Sequence, residues 1–356
     1  MPGGDDIHAY AKEHRRKSDR GQAQALLNIG SLERVNSKKS FPLLELPIWS
    51  LDRGAGLVER QEKPVAVNDV EKWSARQLVK LINRETDVNR LKVYVDRLHV
   101  VDFPSVEEAQ QAMGTVAICV LAYLEDPKLV VAACKMWAHM CDGFDARASA
   151  RQHAFAAVGG VEALLSGIKR HPKNREVQFS GLHALCKACR GCDSFSDWRK
   201  TQASQGGAFE LVVRAMHVFS TDEMILHEAI MAISNVAGGI NSSAGLRKRR
   251  AISAGGIETL SECLELHMSN VSLSHDCLFA LHVLYSIDMD LLLEKSQATN
   301  KGAAAWKRLS YKWGSMEVEK SKLPMIQLVL KCVEVHPHDG ALQATAQLLI
   351  GLLTGR

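Results

Sequence analysis

The chain has 356 residues, 24% of them charged, and a formal net charge of +4. That charge is too mild to argue for nucleic acid by itself, and a hydrophobic content of 46% is ordinary for a soluble protein. The longest apolar runs, near 113–124 and 348–353, are too short to span a bilayer. Nine cysteines beside a polar start with no signal-like apolar stretch point to reduced thiols, and so to a cytoplasmic or nuclear protein.

In chain order, residues 1–36 read as a polar tail. Its charged part, about 5–27, gathers no clear apolar face at helical spacing, so a helix and disorder both fit. Residues 37–67 change character: Pro42, Pro47 and Pro64, with Gly54 and Gly56, forbid a continuous helix. Inside lies an apolar segment, Phe41-Pro42-Leu43-Leu44-Glu45-Leu46-Pro47-Ile48-Trp49. It fits a strap capping the first repeat, a motif for a partner, or an inhibitor of the protein's own groove. Residues 68–104 predict two helices, 69–84 and 87–99, as a cap or degenerate repeat, with Asp69 as an N-cap candidate.

From 105 to 356 the sequence repeats itself. Gly159-Gly160, Gly206-Gly207 and Gly255-Gly256 each open a short apolar helix, a polar break follows, and a longer apolar helix closes the unit. His139, Lys187, Asn235 and Val283 stand at one recurring position, 48 residues apart by subtraction, with Gly351 in that slot of the last unit. A fixed period of this size marks a solenoid. Ala133, Gly181, Ala229 and Cys277 form a small-residue column at the same period, and Cys134, Leu182, Ile230 and Leu278 the large apolar column beside it. The units run about 106–143, 144–191, 192–239, 240–288 and 303–354, with an insertion at about 289–323.

This pattern resembles the armadillo repeat family over about 106–353. The resemblance implies an all-α, right-handed superhelical solenoid of armadillo-like three-helix repeats, with long third helices lining a concave groove. In that family a Trp, and an Asn four residues later, hold the backbone of an extended peptide. Of the matching Asn slots only Asn235 carries Asn; the Trp slots hold Lys135, His183, Met231, Phe279 and Gln347. Capture of basic peptides by an Asn ladder is therefore not expected. The groove row instead reads Lys135, His139, His183 and Lys187 in its N-terminal half and Met231, Asn235, Phe279 and Val283 in its C-terminal half. A segment acidic at one end and hydrophobic at the other is the expected partner. Burial of Phe279 and Val283 under the insertion, with solvated lysines, is the competing reading.

Basic residues cluster just ahead of each glycine hinge: Arg147 and Arg151, then Arg199 and Lys200, then Arg247, Lys248, Arg249 and Arg250. On the first helices they predict one ridge, either plainly solvated or docking an acidic protein, with 247–250 as a short nuclear-import-like run. The insertion holds Lys295, Lys301, Lys307, Arg308 and Lys312 with Trp306, Tyr311 and Trp313. These residues suit stacking on single-stranded nucleic acid, or tryptophans packed inward.

Cys186, Cys189 and Cys192 with His183 suggest a metal cluster in isolation. The register argues against it: Cys186 shares its slot with Ala138, Ser234 and His282, and Cys189 with Cys141, Ala237 and Tyr285. No metal, cofactor or catalytic motif is expected. The reading is a non-enzymatic scaffold for protein or peptide partners. The alternatives are a nucleic-acid-binding repeat protein and a non-catalytic subunit of an enzyme or ubiquitin-ligase assembly.

Overall fold

The computed structural model describes residues 73–191, 194–239, 241–286 and 322–354, with only the backbone of Ser194 and Ser242. Among these residues there are fifteen helices and no strand. Asp69, Cys192, segment 41–49 and nearly all of the insertion lie outside the described residues.

The helices are α1 (Ala75–Ile82), α2 (Val88–Leu98), α3 (Val106–Ala122), α4 (Pro127–Met140), α5 (Ala146–Ala157), α6 (Gly160–Arg170), α7 (Arg175–Ala188), α8 (Ser194–Gln205), α9 (Ala208–Val218), α10 (Glu223–Ala237), α11 (Ser242–Ser253), α12 (Gly256–Leu266), α13 (Val271–Tyr285), α14 (Leu323–Val335) and α15 (Gly340–Thr354). They stack as three rows. First helices α5, α8 and α11 pack in sequence, second helices α6, α9, α12 and α14 do the same, and third helices α2, α4, α7, α10, α13 and α15 make the longest row. Each unit touches its neighbours along one axis, as a solenoid requires.

Local chemistry sets each turn. The hinge glycines Gly159, Gly207 and Gly255 cap the second helices at φ of 76, 84 and 87°, in the left-handed region that glycine enters cheaply. One repeat earlier that slot holds Gln111, and the chain runs straight through it. The result is α3, a single 17-residue helix that packs on both α5 and α6 in place of a separate first and second helix.

The third helices start on a column of side-chain caps: Asp126, Asn174, Asp222 and Asn270, again 48 apart, each accept from backbone N–H groups of the first turn. Asp339 accepts from Leu342 N–H in the last unit. The apolar columns are buried as the sequence predicts: Cys134, Leu182, Ile230 and Leu278 are fully enclosed, as are Ala133, Ala229 and Cys277. At Gly181 a Cβ would stand 2.5 Å from Ile168 Cγ1, so the small column is what lets neighbouring helices close.

Candidate binding face

Residues four apart on a helix share a face. With 133, 134, 137 and 138 turned into the core, positions 135 and 139 of α4 face outward, and their counterparts repeat along α7, α10 and α13. The structure therefore brings the eight predicted residues onto one row of adjacent helices. Lys135, His139 and Phe279 are exposed, Phe279 by 43%. His183, Lys187, Met231, Asn235 and Val283 are half-buried.

Several of these side chains already have partners. Lys187 Nζ lies 2.7 Å from Asp142 Oδ1, and Arg190 Nη1 lies 3.1 Å from the same oxygen. The Lys187 hydrogen bond, with the charge of both cations, holds the Asp142 carboxyl below the usual carboxylate range. Arg190 also stacks over Phe144, which is 87% exposed, at 4.5 Å from the ring centre. His183 Nδ1 pairs with Glu228 Oε1 at 2.8 Å across the α7–α10 joint. Burial pushes the Glu228 carboxyl up, but His183, His227 and Cys186 outweigh it, and the net direction is down. Asn235 donates Nδ2–H to the Cys186 carbonyl at 3.2 Å, so one of its two amide donors ties α10 to α7.

The sequence reading missed the acids of this face. Glu228 and Asp276 occupy one slot 48 apart, and His227 and His275 another. His227 Nδ1 sits 2.7 Å from Asp276 Oδ2, bridging α10 and α13. The repeat period marks these columns in the sequence, but they stand outside the Trp and Asn slots that define the groove by resemblance.

The basic ridge requires a correction. Arg199, Lys200, Arg247 and Lys248 are buried, at 0, 5, 1 and 2% exposure, and so offer no docking ridge. Arg151, Arg199 and Arg247 repeat one device at the same period. Each Nε–H donates to a carbonyl eleven residues back, at the end of the preceding third helix: Met140, Ala188 and Val236. Each Nη2–H donates to a carbonyl nine residues back: Asp142, Arg190 and Gly238. Helix ends leave carbonyls without intrahelical partners, and the negative pole of the dipole lies there too. Arg247 Nη1 further reaches Asp197 Oδ1 at 2.7 Å and Thr201 Oγ1 at 3.0 Å on α8. Lys200 donates to Gly191 O and Gly238 O, and Lys248 to Gly239 O and Ser286 Oγ. Of the predicted ridge, Arg249 and Arg250 are exposed and Arg151 is half-buried. A short run of like charges at a helix surface gave no sign that its inner members turn under the neighbouring unit.

Cys186 and Cys189 are buried in the core. Cys186 donates to the Glu228 carbonyl at 3.1 Å, and burial lifts the Cys189 thiol to about 11. Both are packing residues. Among the described residues no three His, Cys, Asp or Glu side chains gather as a metal site would need, and no helix is long and apolar enough to cross a membrane.

The three-row stack, its glycine hinges and its third-helix face match known structures. A designed armadillo repeat protein in complex with the peptide (KR)4 superimposes with a TM-score of 0.54 at 16% identity, covering 79% of this chain and 100% of that one. This chain has an armadillo-like helical-repeat fold. An engineered protein solved by a structural genomics consortium gives a TM-score of 0.55 at 19% identity, over 81% of this chain and 97% of its own. A second engineered protein from the same source gives 0.53 at 20% identity, over 81% and 100%. No protein-family model matches the sequence, and no curated protein does either. At these identities the likeness concerns the armadillo-like architecture alone.

Proposed function

We propose that this armadillo-like solenoid is a non-catalytic interaction scaffold that seats an extended partner segment along its third-helix row. The partner's acidic residues lie over α4 and α7, and its apolar residues over α10 and α13. One observation carries the reading: the outward row changes from Lys135, His139 and Lys187 to Met231, Phe279 and Val283 along consecutive helices. A designed protein of the same fold holds a peptide, (KR)4, of basic character. The cations here favour a ligand of the opposite sign. An extended ligand suits a solenoid because both repeat at the scale of one unit.

Selection from a random peptide display library tests the proposal. The expected peptides carry Asp or Glu toward one end and apolar residues toward the other. Lys187→Glu should weaken them by about tenfold or more, a loss of roughly 1.4 kcal/mol, and Phe279→Ala should weaken the apolar end. Selections of basic peptides, or affinities indifferent to both substitutions, would remove this reading. Partner capture through the first-helix ridge is not part of it, because four of the residues named for that ridge are enclosed.

A further inference from the structure

The N-terminal end of the row sets two imidazoles and an ammonium together, and among the described residues the one carboxylate acting on His99 is already paired. His99, at the C-terminal end of α2, meets His139 of α4 edge to face, with ring centres 5.1 Å apart and planes at 70°. Lys135 lies one turn before His139 on the same helix and is exposed. Of the carboxylates, Asp96 acts on His99 from its own helix, but Lys92 Nζ already holds Asp96 Oδ2 at 2.7 Å. On the other side of His139, α7 presents Lys187 and Arg190, which share the single carboxylate Asp142. His183, further along α7, has Glu228. α1, which packs on α2, adds no charged group to those acting on His99. The α7–α10 and α10–α13 joints each match a histidine with an acid, while the α2–α4 joint sets two imidazoles and an ammonium together.

We propose that the α2–α4 joint is a proton-linked carboxylate subsite: a Glu or Asp side chain of the bound segment enters over His99, His139 and Lys135 and takes up a proton onto the imidazole pair as it binds. This deepens the scaffold reading and rests on it. In the free protein a second positive charge on the pair is opposed by the first and by Lys135. A carboxylate placed between them removes that opposition, so the bound state holds more protons than the free state near neutrality. Burial, then His139 and Lys135, keep His99 below the ordinary histidine range against the pull of Asp96, which leaves it neutral and ready to take that proton. Affinity then rises as pH falls through the free histidine range and levels off once the free pair is charged.

The probe is a synthetic peptide with a run of glutamates followed by apolar residues, beside its glutamine counterpart, titrated calorimetrically in two buffers of different ionisation enthalpy. The glutamate peptide is expected to take up roughly one proton per complex near neutral pH and to bind about tenfold tighter at about pH 6 than at about pH 8. The double variant His99→Gln, His139→Gln should lose both the uptake and the pH slope. Lys135→Gln should weaken binding while the slope persists. Binding of the glutamate peptide with no proton uptake and a flat pH profile overturns the proposal and leaves the scaffold standing. Failure of both peptides and of the library selection overturns the scaffold and this subsite together. If the double variant does not fold, the two-buffer titration of the wild type still decides.

Discussion

The first helices bury Arg199 and Arg247, and the third helices leave Lys135 exposed and Lys187 half-buried. Arg199 and Arg247 recur at the 48-residue spacing, whereas Lys135 and Lys187 stand in two different slots of it, one turn apart on their helices. Arg199 and Arg247 come from helices whose cores abut the end of a third helix, where orphan carbonyls provide acceptors. Lys135 and Lys187 come from the middle and end of the third helices, where the neighbouring unit provides one carboxylate at most. The buried guanidinium of Arg247 is tolerable because Nε, Nη1 and Nη2 each meet an oxygen; the exposed ammonium of Lys135 is available to something else. Periodicity reports that a position matters to each repeat, and only the acceptors around it separate a staple from a docking contact.

The sharpest way to break this contrast is to remove one buried cation. Arg247→Met deprives Val236, Gly238, Asp197 and Thr201 of their donor in an enclosed site. A cost of about 3–5 kcal/mol is expected, against no more than about 0.5 kcal/mol for Arg249→Met, its exposed neighbour two residues on. Urea unfolding of the two variants checks it. Equal midpoints would mean that the staple is decorative and that the two rows do not differ.

The next test compares rows by function. Lys135→Glu reverses a charge at an exposed position of the row. Stability should move by no more than about 0.5 kcal/mol, while affinity for acidic display peptides falls by about tenfold or more. A large loss of stability with unchanged binding would put Lys135 on the structural side of the comparison.

How much of this was legible is clearest in single columns. Leu182 and Gly181 were readable because burial of large and small residues has a helical period that sequence displays directly. The hinges at Gly159, Gly207 and Gly255 were readable because few residues enter the left-handed region. The third-helix row was readable as a register: Lys135, Lys187, Met231 and Phe279 lie on successive helices of it. What escaped was the pairing between units. Nothing near Lys187 in sequence marks Asp142 as its partner 45 residues away, and nothing near Arg247 shows that a helix end waits 11 residues back. Polar contacts across a repeat joint depend on rotamers and helix offsets, which a column of letters does not encode. The straight run of α3 was in principle visible, since Gln111 stands where a glycine would bend the chain.

A milder change sharpens the same contrast from the acid's side. Asp142 is 54% exposed as a side chain and holds two cations at once. Asp142→Asn should cost at most about 1 kcal/mol, as surface pairs do. It also releases Lys187 and Arg190, so acidic peptides should bind several-fold tighter, with a steeper dependence on salt. Weaker binding on titration of the variant would show that Asp142 orients the cations for the ligand instead of neutralising them.

The smallest expected effect concerns the histidine pair in the unliganded chain. Burial first, then the charges of His139 and Lys135, place the folded His99 below its ordinary range. The unfolded chain therefore binds its proton at a higher pH than the folded one. Between the unfolded value and the lower folded one, the unfolded state holds more protons, so stability is fully present above the unfolded value and declines as pH falls through the folded value. At the α7–α10 joint burial pushes the Glu228 carboxyl up, but its bond to His183 brings it below the ordinary carboxylate range, so the stability it contributes is lost only as pH falls through that lower range. Acid should thus loosen the α2–α4 joint before the α7–α10 joint. Hydrogen exchange followed from about pH 7.5 to about pH 5.5 should show amides of α2 opening earlier than those of α10, and His99→Gln should remove the difference. Simultaneous opening of both joints would mean that charge repulsion at His99 and His139 is too weak to be felt against the packing of α2 on α4.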